Sequence, residues 1–73
     1  MSDIGDRIRL IREQLGMTQG EFGVLVGIDQ RQISRYECGR EEPSLGILRR
    51  IARGLGITVG ELLDEEGQGG GDA

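Results

Sequence analysis

The 73-residue sequence contains no histidine, no tryptophan and no lysine, and it has one cysteine and one proline. A single cysteine cannot form an intrachain disulfide, which fits a protein of the reducing cytoplasm. Without histidine or paired cysteines there is no recognisable metal-ligand set, and we expect no metal and no other cofactor. We also expect no enzyme activity and no small-molecule ligand, because the chain offers no nucleophile with a base, no glycine-rich phosphate loop and no room for a sizeable pocket.

Long hydrophobic runs are missing as well. The longest uninterrupted apolar stretch is three residues, Val24–Val26, so no segment is predicted to cross a membrane. The N-terminus carries Asp3 and Asp6 and lacks an apolar run, which is not the pattern of a signal peptide. With Phe22 and Tyr36 as the only aromatic residues, the core must consist of Ile, Leu and Val. A domain this short buries only about 60% of its unfolded surface, and dimerisation would bury more.

The net charge of −4 argues at first against a nucleic-acid partner, but the charge is unevenly distributed. Residues 1–40 contain six arginines and six acids, whereas residues 41–73 contain three arginines and seven acids. The N-terminal half can therefore still present a local basic face. Arginine suits two-bond contacts with phosphate and guanine, although the absence of lysine is equally what a biased genome composition produces.

The stretch from residue 18 to residue 36 organises the chain as two short helices joined by a tight turn. Thr18 is a favourable N-cap residue, and Glu21 follows at the spacing of a capping box. Phe22 and Val26 are four residues apart and share one helix face. Gly27 then ends the helix, at a position where a left-handed conformation is usual.

The second helix of this unit is predicted to begin after Asp29, which can cap it. Ile33 and Tyr36 are three residues apart and should face inward. The polar residues between them should face outward; these are Gln30, Arg31, Ser34 and Arg35. Two helices joined by a glycine turn are typical of the helix-turn-helix unit, whose second helix lies in the DNA major groove.

Apolar residues at helical spacing predict three further helices and an all-α fold. The first helix has the apolar stripe Ile4, Ile8, Ile11 and Leu15. The fourth starts after Pro43 and Ser44 and has the apolar positions Leu45, Leu48, Ile51, Ala52 and Leu55. The fifth is capped by Thr58. We expect one domain over residues 1–64 and a disordered, acidic and glycine-rich tail over residues 65–73.

Four segments follow one another in a fixed order and spacing along the chain: IRLIREQLGMTQ, the turn Gly27-Ile28, ISRYECG and PSLGILRRIARGLGITVGELL. This pattern resembles the lambda-repressor/Cro-like family of helix-turn-helix domains, also called the XRE type, over roughly residues 4–63. The resemblance implies a five-helix DNA-binding domain that binds double-stranded DNA as a symmetric dimer.

Three side chains at the start and on the outer face of the third helix are the base-reading candidates: Gln30, Arg31 and Arg35. Glutamine can bond adenine through two atoms and arginine can do the same with guanine, each contact contributing about 1–3 kcal/mol of discrimination. Ser34 is a further candidate, for a phosphate or a thymine methyl group. The competing interpretation of all four is an ordinary solvated helix face.

The resemblance also implies a phosphate contact at Gln19 and an ion pair between Arg12 and Glu37. Gln19 would bond a DNA phosphate and brace the first reading residue, helped by the free N–H groups of the helix start. The cap residue Thr18 is a further phosphate candidate at the same helix start. Arg40, just past the third helix, is another phosphate candidate. Arg12 and Glu37 would pair across the first and third helices as a partly buried ion pair.

The apolar residues of the fifth helix could serve the core or a dimer contact. We expect Leu62 to face inward and the dimer to form through the fifth helix and the end of the fourth, using Ile57, Val59 and Leu63. The sequence thus predicts a sequence-specific transcription regulator, acting as a repressor. The alternative is a protein-interaction module of the same fold, antitoxin-like or regulator-binding, favoured by the net charge and by the apolar pair Val24 and Leu25.

Overall fold

The computed structural model describes residues 3–64, which form five α-helices and contain no β-strand. The helices are α1 (Asp3–Gln14), α2 (Gln19–Val26), α3 (Gln30–Glu37), α4 (Leu45–Leu55) and α5 (Val59–Leu62). The predicted all-α, five-helix fold is therefore confirmed. None of the helices in this range is long and apolar enough to cross a membrane. The predicted disordered tail, residues 65–73, lies outside the described residues.

Reciprocal side-chain caps fix the starts of α2 and α5. The Thr18 hydroxyl accepts the Glu21 N–H at 3.1 Å, and the Glu21 carboxylate accepts the Thr18 N–H at 2.9 Å. Thr58 and Glu61 repeat the same capping box at the start of α5, at 3.0 and 2.9 Å. Because each box satisfies a backbone N–H that the helix itself leaves unpaired, these helices can begin abruptly.

The turn between α2 and α3 depends on two glycines. Gly27 adopts a left-handed conformation with φ of 74°, and the Ile28 N–H then donates to the Gly23 carbonyl at 2.9 Å. A Cβ atom on Gly23 would overlap the Ile28 carbonyl oxygen, so the chain can fold back this tightly only where that side chain is missing. Asp29 then caps α3 by accepting the Arg31 N–H at 2.8 Å.

A single apolar core lies between the helices, and its largest fully buried side chains are Ile8, Phe22, Ile33, Ile51 and Leu62. Two residues that the helical pattern assigned to this core are in fact exposed, Leu15 by 50% and Leu45 by 54%. Leu15 follows the last residue of α1 and Leu45 is the first residue of α4. The apolar periodicity thus extends to helix ends that the neighbouring helices no longer cover.

Long arginine side chains join parts of the fold that are distant in sequence. Arg7 of α1 donates to the backbone carbonyl of Leu62 at 2.9 Å and to that of Glu61 at 3.4 Å. Arg50 of α4 donates to the carbonyl of Gly27 at 3.2 Å. Because these carbonyls lie at helix ends, where intrahelical donors are lacking, the arginines both satisfy them and fix α1 to α5 and α4 to the turn.

Helix α3 is held from one side only. It packs against α1 and α2, while α4 packs against α2 and α5. Its buried residues are Ile33, Tyr36 and Glu37. The opposite side of α3 remains open, and this arrangement positions the candidate site.

Candidate nucleic-acid interface

An open groove runs along the uncovered side of α3. Its lining residues are Gln30, Arg31, Ser34 and Arg35 of α3, Asp29, Cys38 and Arg40 next to α3, and Gln19 of α2. All four residues predicted to read bases therefore lie in one groove. So do two of the three predicted phosphate contacts, Gln19 and Arg40, whereas Thr18 is exposed and does not line it.

The groove is positively charged although the whole chain is negative. Three arginines line it, and its one acidic residue is Asp29. Within residues 3–64, the ion pairs all involve Glu37, so Arg31, Arg35 and Arg40 are not neutralised by a neighbouring carboxylate. The Asp29 carboxylate accepts the Arg31 N–H at the start of its own helix. An anion that enters the groove thus meets guanidinium groups that have no ion-pair partner in the part of the chain that the structure describes.

Two of the groove residues, Asp29 and Cys38, are not among the predicted DNA contacts. Asp29 belongs to the groove because, as the N-cap residue of α3, it lies at the same helix end as Gln30 and Arg31. Cys38 is exposed, and its Sγ donates to the Arg35 carbonyl at 3.6 Å. Helical spacing carried the signal for Cys38, since it is four residues after Ser34 and so continues the same side of the helix.

Behind the groove lies a buried carboxylate, Glu37, whose side chain is only 1% exposed. Arg12 donates two hydrogen bonds to it, from Nε to Oε2 at 2.7 Å and from Nη2 to Oε1 at 3.0 Å. The two residues thus form the ion pair that the resemblance implied. A third bond joins Arg12 Nη1 to the Met17 carbonyl at 2.8 Å. Gln19 Nε2 donates to Glu37 Oε1 at 3.1 Å, and Arg9 lies 3.6 Å from the same oxygen.

These contacts decide the charge state of Glu37. Burial alone would raise the pKa of the carboxyl group, but the hydrogen bonds from Arg12 and Gln19 and the charges of Arg12 and Arg9 together lower it. In the same way the hydrogen bond with Glu37 raises the pKa of Arg12, against the opposing effect of burial. The pair is therefore fully ionised near neutral pH, and it fixes α1, α3 and the start of α2 to one another.

Gln19 connects this buried cluster to the groove, because it lines the groove and is only half-buried. Its amide nitrogen was expected to contact phosphate and to brace the first reading residue, and here it donates to Glu37. The Thr18 hydroxyl accepts the Glu21 N–H and so serves the capping box. Both residues nevertheless lie at the start of α2, beside unpaired backbone N–H groups that favour an anion.

The residues expected at a dimer contact are not freely exposed in the single chain. Ile57, Val59 and Leu63 are half-buried and pack against the core. Leu62 faces inward and is fully buried, as predicted. Val24 is the most exposed large apolar residue at 85%, and its neighbour Leu25 is 41% exposed.

Comparison with known families decides what the fold is. Residues 8–62 match a family model described as helix-turn-helix. The chain belongs to this helix-turn-helix family. The match confirms the lambda-repressor/Cro-like, XRE-type resemblance, and it includes α2, the turn and α3 in full.

Relatives of this helix-turn-helix domain are named as transcriptional regulators. An uncharacterized HTH-type transcriptional regulator of Methanothermobacter thermautotrophicus is 44% identical over 63 residues, covering 82% of this chain and 91% of the relative. Another from Sinorhizobium medicae is 39% identical over 69 residues, covering 93% of this chain and 50% of the relative. The chain thus spans about half the length of the Sinorhizobium protein.

Among solved structures, the domain is similar to the P22 c2 repressor, which was crystallised in complex with a synthetic operator. The two superpose with a TM-score of 0.73 at 29% sequence identity. The similarity covers 89% of this chain and 98% of the repressor chain. The lambda-repressor-like architecture of the five helices is confirmed by this match.

Proposed function

We propose that this chain binds double-stranded DNA in a sequence-specific manner, as a small transcription regulator that represses by occupying a palindromic operator as a homodimer. The observation that carries the proposal is the groove along α3, where unneutralised arginines and amide and hydroxyl groups lie together on the side that no other helix covers. The similarity to a repressor crystallised with its operator supports it.

In this proposal α3 enters the major groove and its outer side chains contact base edges. Arg31 and Arg35 are one helical turn apart and both exposed, so they can reach neighbouring base pairs, where arginine prefers the N7 and O6 atoms of guanine. Gln30 is the first residue of α3, and the N-terminal residues of a recognition helix are those that contact base edges. Ser34 is half-buried, and its short side chain limits it to a phosphate or a thymine methyl group.

Phosphate contacts would flank the reading helix on both sides. Arg40 follows α3 and is exposed, so its guanidinium can approach one strand. The start of α2, with Thr18 and Gln19, can receive a phosphate of the other strand at its unpaired N–H groups. Because such contacts release counterions, binding should weaken steeply as salt is raised.

The dimer would place two copies of α3 about 34 Å apart, so that they contact half-sites one turn apart on the same face of the duplex. We assign the contact to Ile57, Val59 and Leu63 together with the end of α4, because this region combines half-buried apolar side chains with a position away from the groove. Sedimentation of the chain with and without a palindromic duplex tests this assignment.

Selection of bound duplexes from a random library, followed by fluorescence anisotropy over a salt series, tests the function itself. The wild-type chain should enrich a palindromic site and lose affinity with rising salt. Replacing both Arg31 and Arg35 by alanine should abolish the enrichment, while Arg49→Ala, an exposed arginine in the middle of α4 and outside the groove, should preserve it. No enrichment by the wild-type chain, or binding without salt dependence, would contradict the proposal.

A second candidate function is a protein-interaction module of the same fold. The specific observation that favours it is the exposure of Val24, at 85%, beside the partly exposed Leu25. Under this alternative, the double substitution of Val24 and Leu25 by serine would abolish binding to the protein partner, while the arginine substitutions in the groove would not.

A further inference from the structure

Gln30, the first residue of α3, lies directly over the first turn of α2. A Cβ atom built on Gly20 would be 3.0 Å from Gln30 Oε1 and 3.5 Å from Gln30 Cδ, with Thr18 Oγ1 next at 3.9 Å. The space that a side chain at position 20 would need is therefore occupied by the Gln30 amide. The absence of a side chain on Gly20 thus decides where the first reading residue rests.

The Gln30 amide is also oriented. Its oxygen is the atom closest to Gly20, while the amide nitrogen is not among the three nearest atoms. This orientation agrees with the chemistry of the site, because the first turn of α2 presents unpaired N–H groups and the positive end of the helix dipole. A carbonyl oxygen is favoured there and an NH₂ group is not. The nitrogen is then the group that Gln30 offers to the groove.

We infer that Gly20 is a specificity-determining residue. Because it has no side chain, the Gln30 amide oxygen can rest over α2, and the Gln30 amide then donates, and does not accept, hydrogen bonds in the groove. This inference rests on the proposed DNA-binding function. A donor alone matches the acceptor atoms that guanine, adenine and thymine present in the major groove, and it disfavours cytosine. It cannot make the two-bond contact with adenine that glutamine makes when both amide atoms are available.

The decisive variant is Gly20→Ala, compared with Gly46→Ala. Each glycine is the second residue of its helix, α2 and α4. A Cβ on Gly46 would meet only Ser44 Oγ, at 3.8 Å, so this control adds the same methyl group and the same helix propensity without touching the groove. At Gly20 the methyl group would displace the end of a flexible side chain and not the backbone, so the fold should be kept.

Selection from a random duplex library gives the base preference at each position of the bound site. The base that Gln30 contacts should be at the position where this preference is lost in Gln30→Ala. There, the wild-type chain and Gly46→Ala should discriminate adenine from guanine by less than about twofold. Gly20→Ala frees the carbonyl oxygen and should prefer adenine by about fivefold or more, the lower end of what a two-bond contact provides. The double variant Gly20→Ala/Gln30→Ala should lose that preference. An unchanged or weakened adenine preference in Gly20→Ala would overturn the inference.

A measurement without DNA separates this inference from the proposed function. Nuclear Overhauser contacts between the Gln30 side chain and the Gly20 α-protons should be present in the free wild-type chain and unchanged in Gly46→Ala. Their absence would overturn the inference even if the wild-type chain binds DNA with high specificity. If these contacts were present but the chain bound no duplex, the packing of Gln30 over Gly20 would be supported. Both the reading role of Gln30 and the proposed function would then be refuted.

Discussion

The two sides of α3 are opposites in chemistry although they belong to the same eight-residue helix. On the inner side the charge of Glu37 is buried and receives hydrogen bonds from Arg12 and Gln19. On the outer side the charges of Arg31 and Arg35 are exposed and have no ion-pair partner among residues 3–64. A buried charge needs partners to be tolerated, whereas an exposed charge is stabilised by water until a ligand replaces that water.

The two sides of α3 should therefore affect different properties of the protein. The inner side holds α3 against α1 and α2, so changes there should act on stability. The outer side contributes little to the fold, so changes there should act on DNA binding under the proposed function. Gln19 touches both, because it donates to Glu37 and lines the groove.

The largest effect should come from Arg12→Ala on the inner side. Removing the guanidinium leaves Glu37 buried without its main partner, which typically lowers the free energy of unfolding by about 3–5 kcal/mol. Arg9→Ala is the matched control, because Arg9 is half-exposed and 3.6 Å from the same carboxylate, and should cost less than about 1 kcal/mol. Urea denaturation of both variants measures this. Equal losses would mean that burial does not distinguish the two pairs.

The next effect should come from Arg31→Ala or Arg35→Ala on the outer side. Each should weaken binding to the selected operator by about 1–3 kcal/mol, roughly 5- to 150-fold, because a two-bond contact with guanine is lost. Stability should change by less than about 0.5 kcal/mol, because both side chains are exposed. Anisotropy titrations and denaturation of the same samples check both statements. If Arg49→Ala, in the middle of α4 and outside the groove, weakened binding as much, the outer side of α3 would not be special.

A smaller effect on both sides is expected from Gln19→Ala. Loss of the hydrogen bond to Glu37 should lower the free energy of unfolding by about 1 kcal/mol. Affinity should fall modestly and to a similar extent for all DNA sequences, because a phosphate contact carries no base preference. Denaturation and a comparison of specific with random duplexes measure the two effects. A change in only one of them would show that Gln19 does not link the two sides.

The smallest effect near neutral pH should be that of protonation. The pKa of Glu37 is lower in the folded chain than its ordinary value of 4.5, so its ionised form contributes stability above that pH. This contribution should be lost as the pH falls below 4.5 towards the pKa of the folded state. Comparing wild type with Glu37→Gln isolates it, since the other acidic groups are common to both. A stability difference that stays constant from pH 7 down to pH 3 would contradict the assignment.

Much of the helix-turn-helix unit was predictable because its determinants are local. The capping box of Thr18 and Glu21, the left-handed Gly27 and the Asp29 cap each act within a few residues. The outer side of α3 followed from helical spacing alone, and the groove brings its predicted residues together. Local chemistry therefore defined both α3 and the side that it presents to solvent.

What could not be predicted depends on contacts between distant parts of the chain. Arg7 bonds the Leu62 carbonyl across 55 positions, and no local pattern marks either residue. A Cβ on Gly5 would overlap the Tyr36 carbonyl, so this glycine permits the close approach of α1 to α3. The same holds for the site, where the bond from Gln19 to Glu37 emerged only once α2 and α3 were placed.

Whether the uncovered side of α3 binds DNA can be measured by titrating the isotope-labelled chain with its selected operator duplex. The backbone amide chemical shifts report which residues the duplex contacts. Shifts should be largest from Gln30 to Arg35 and at the start of α2, and they should be small around Arg49 in the middle of α4. Shifts centred on Val24 and Leu25, or no shifts at a saturating duplex concentration, would contradict the account.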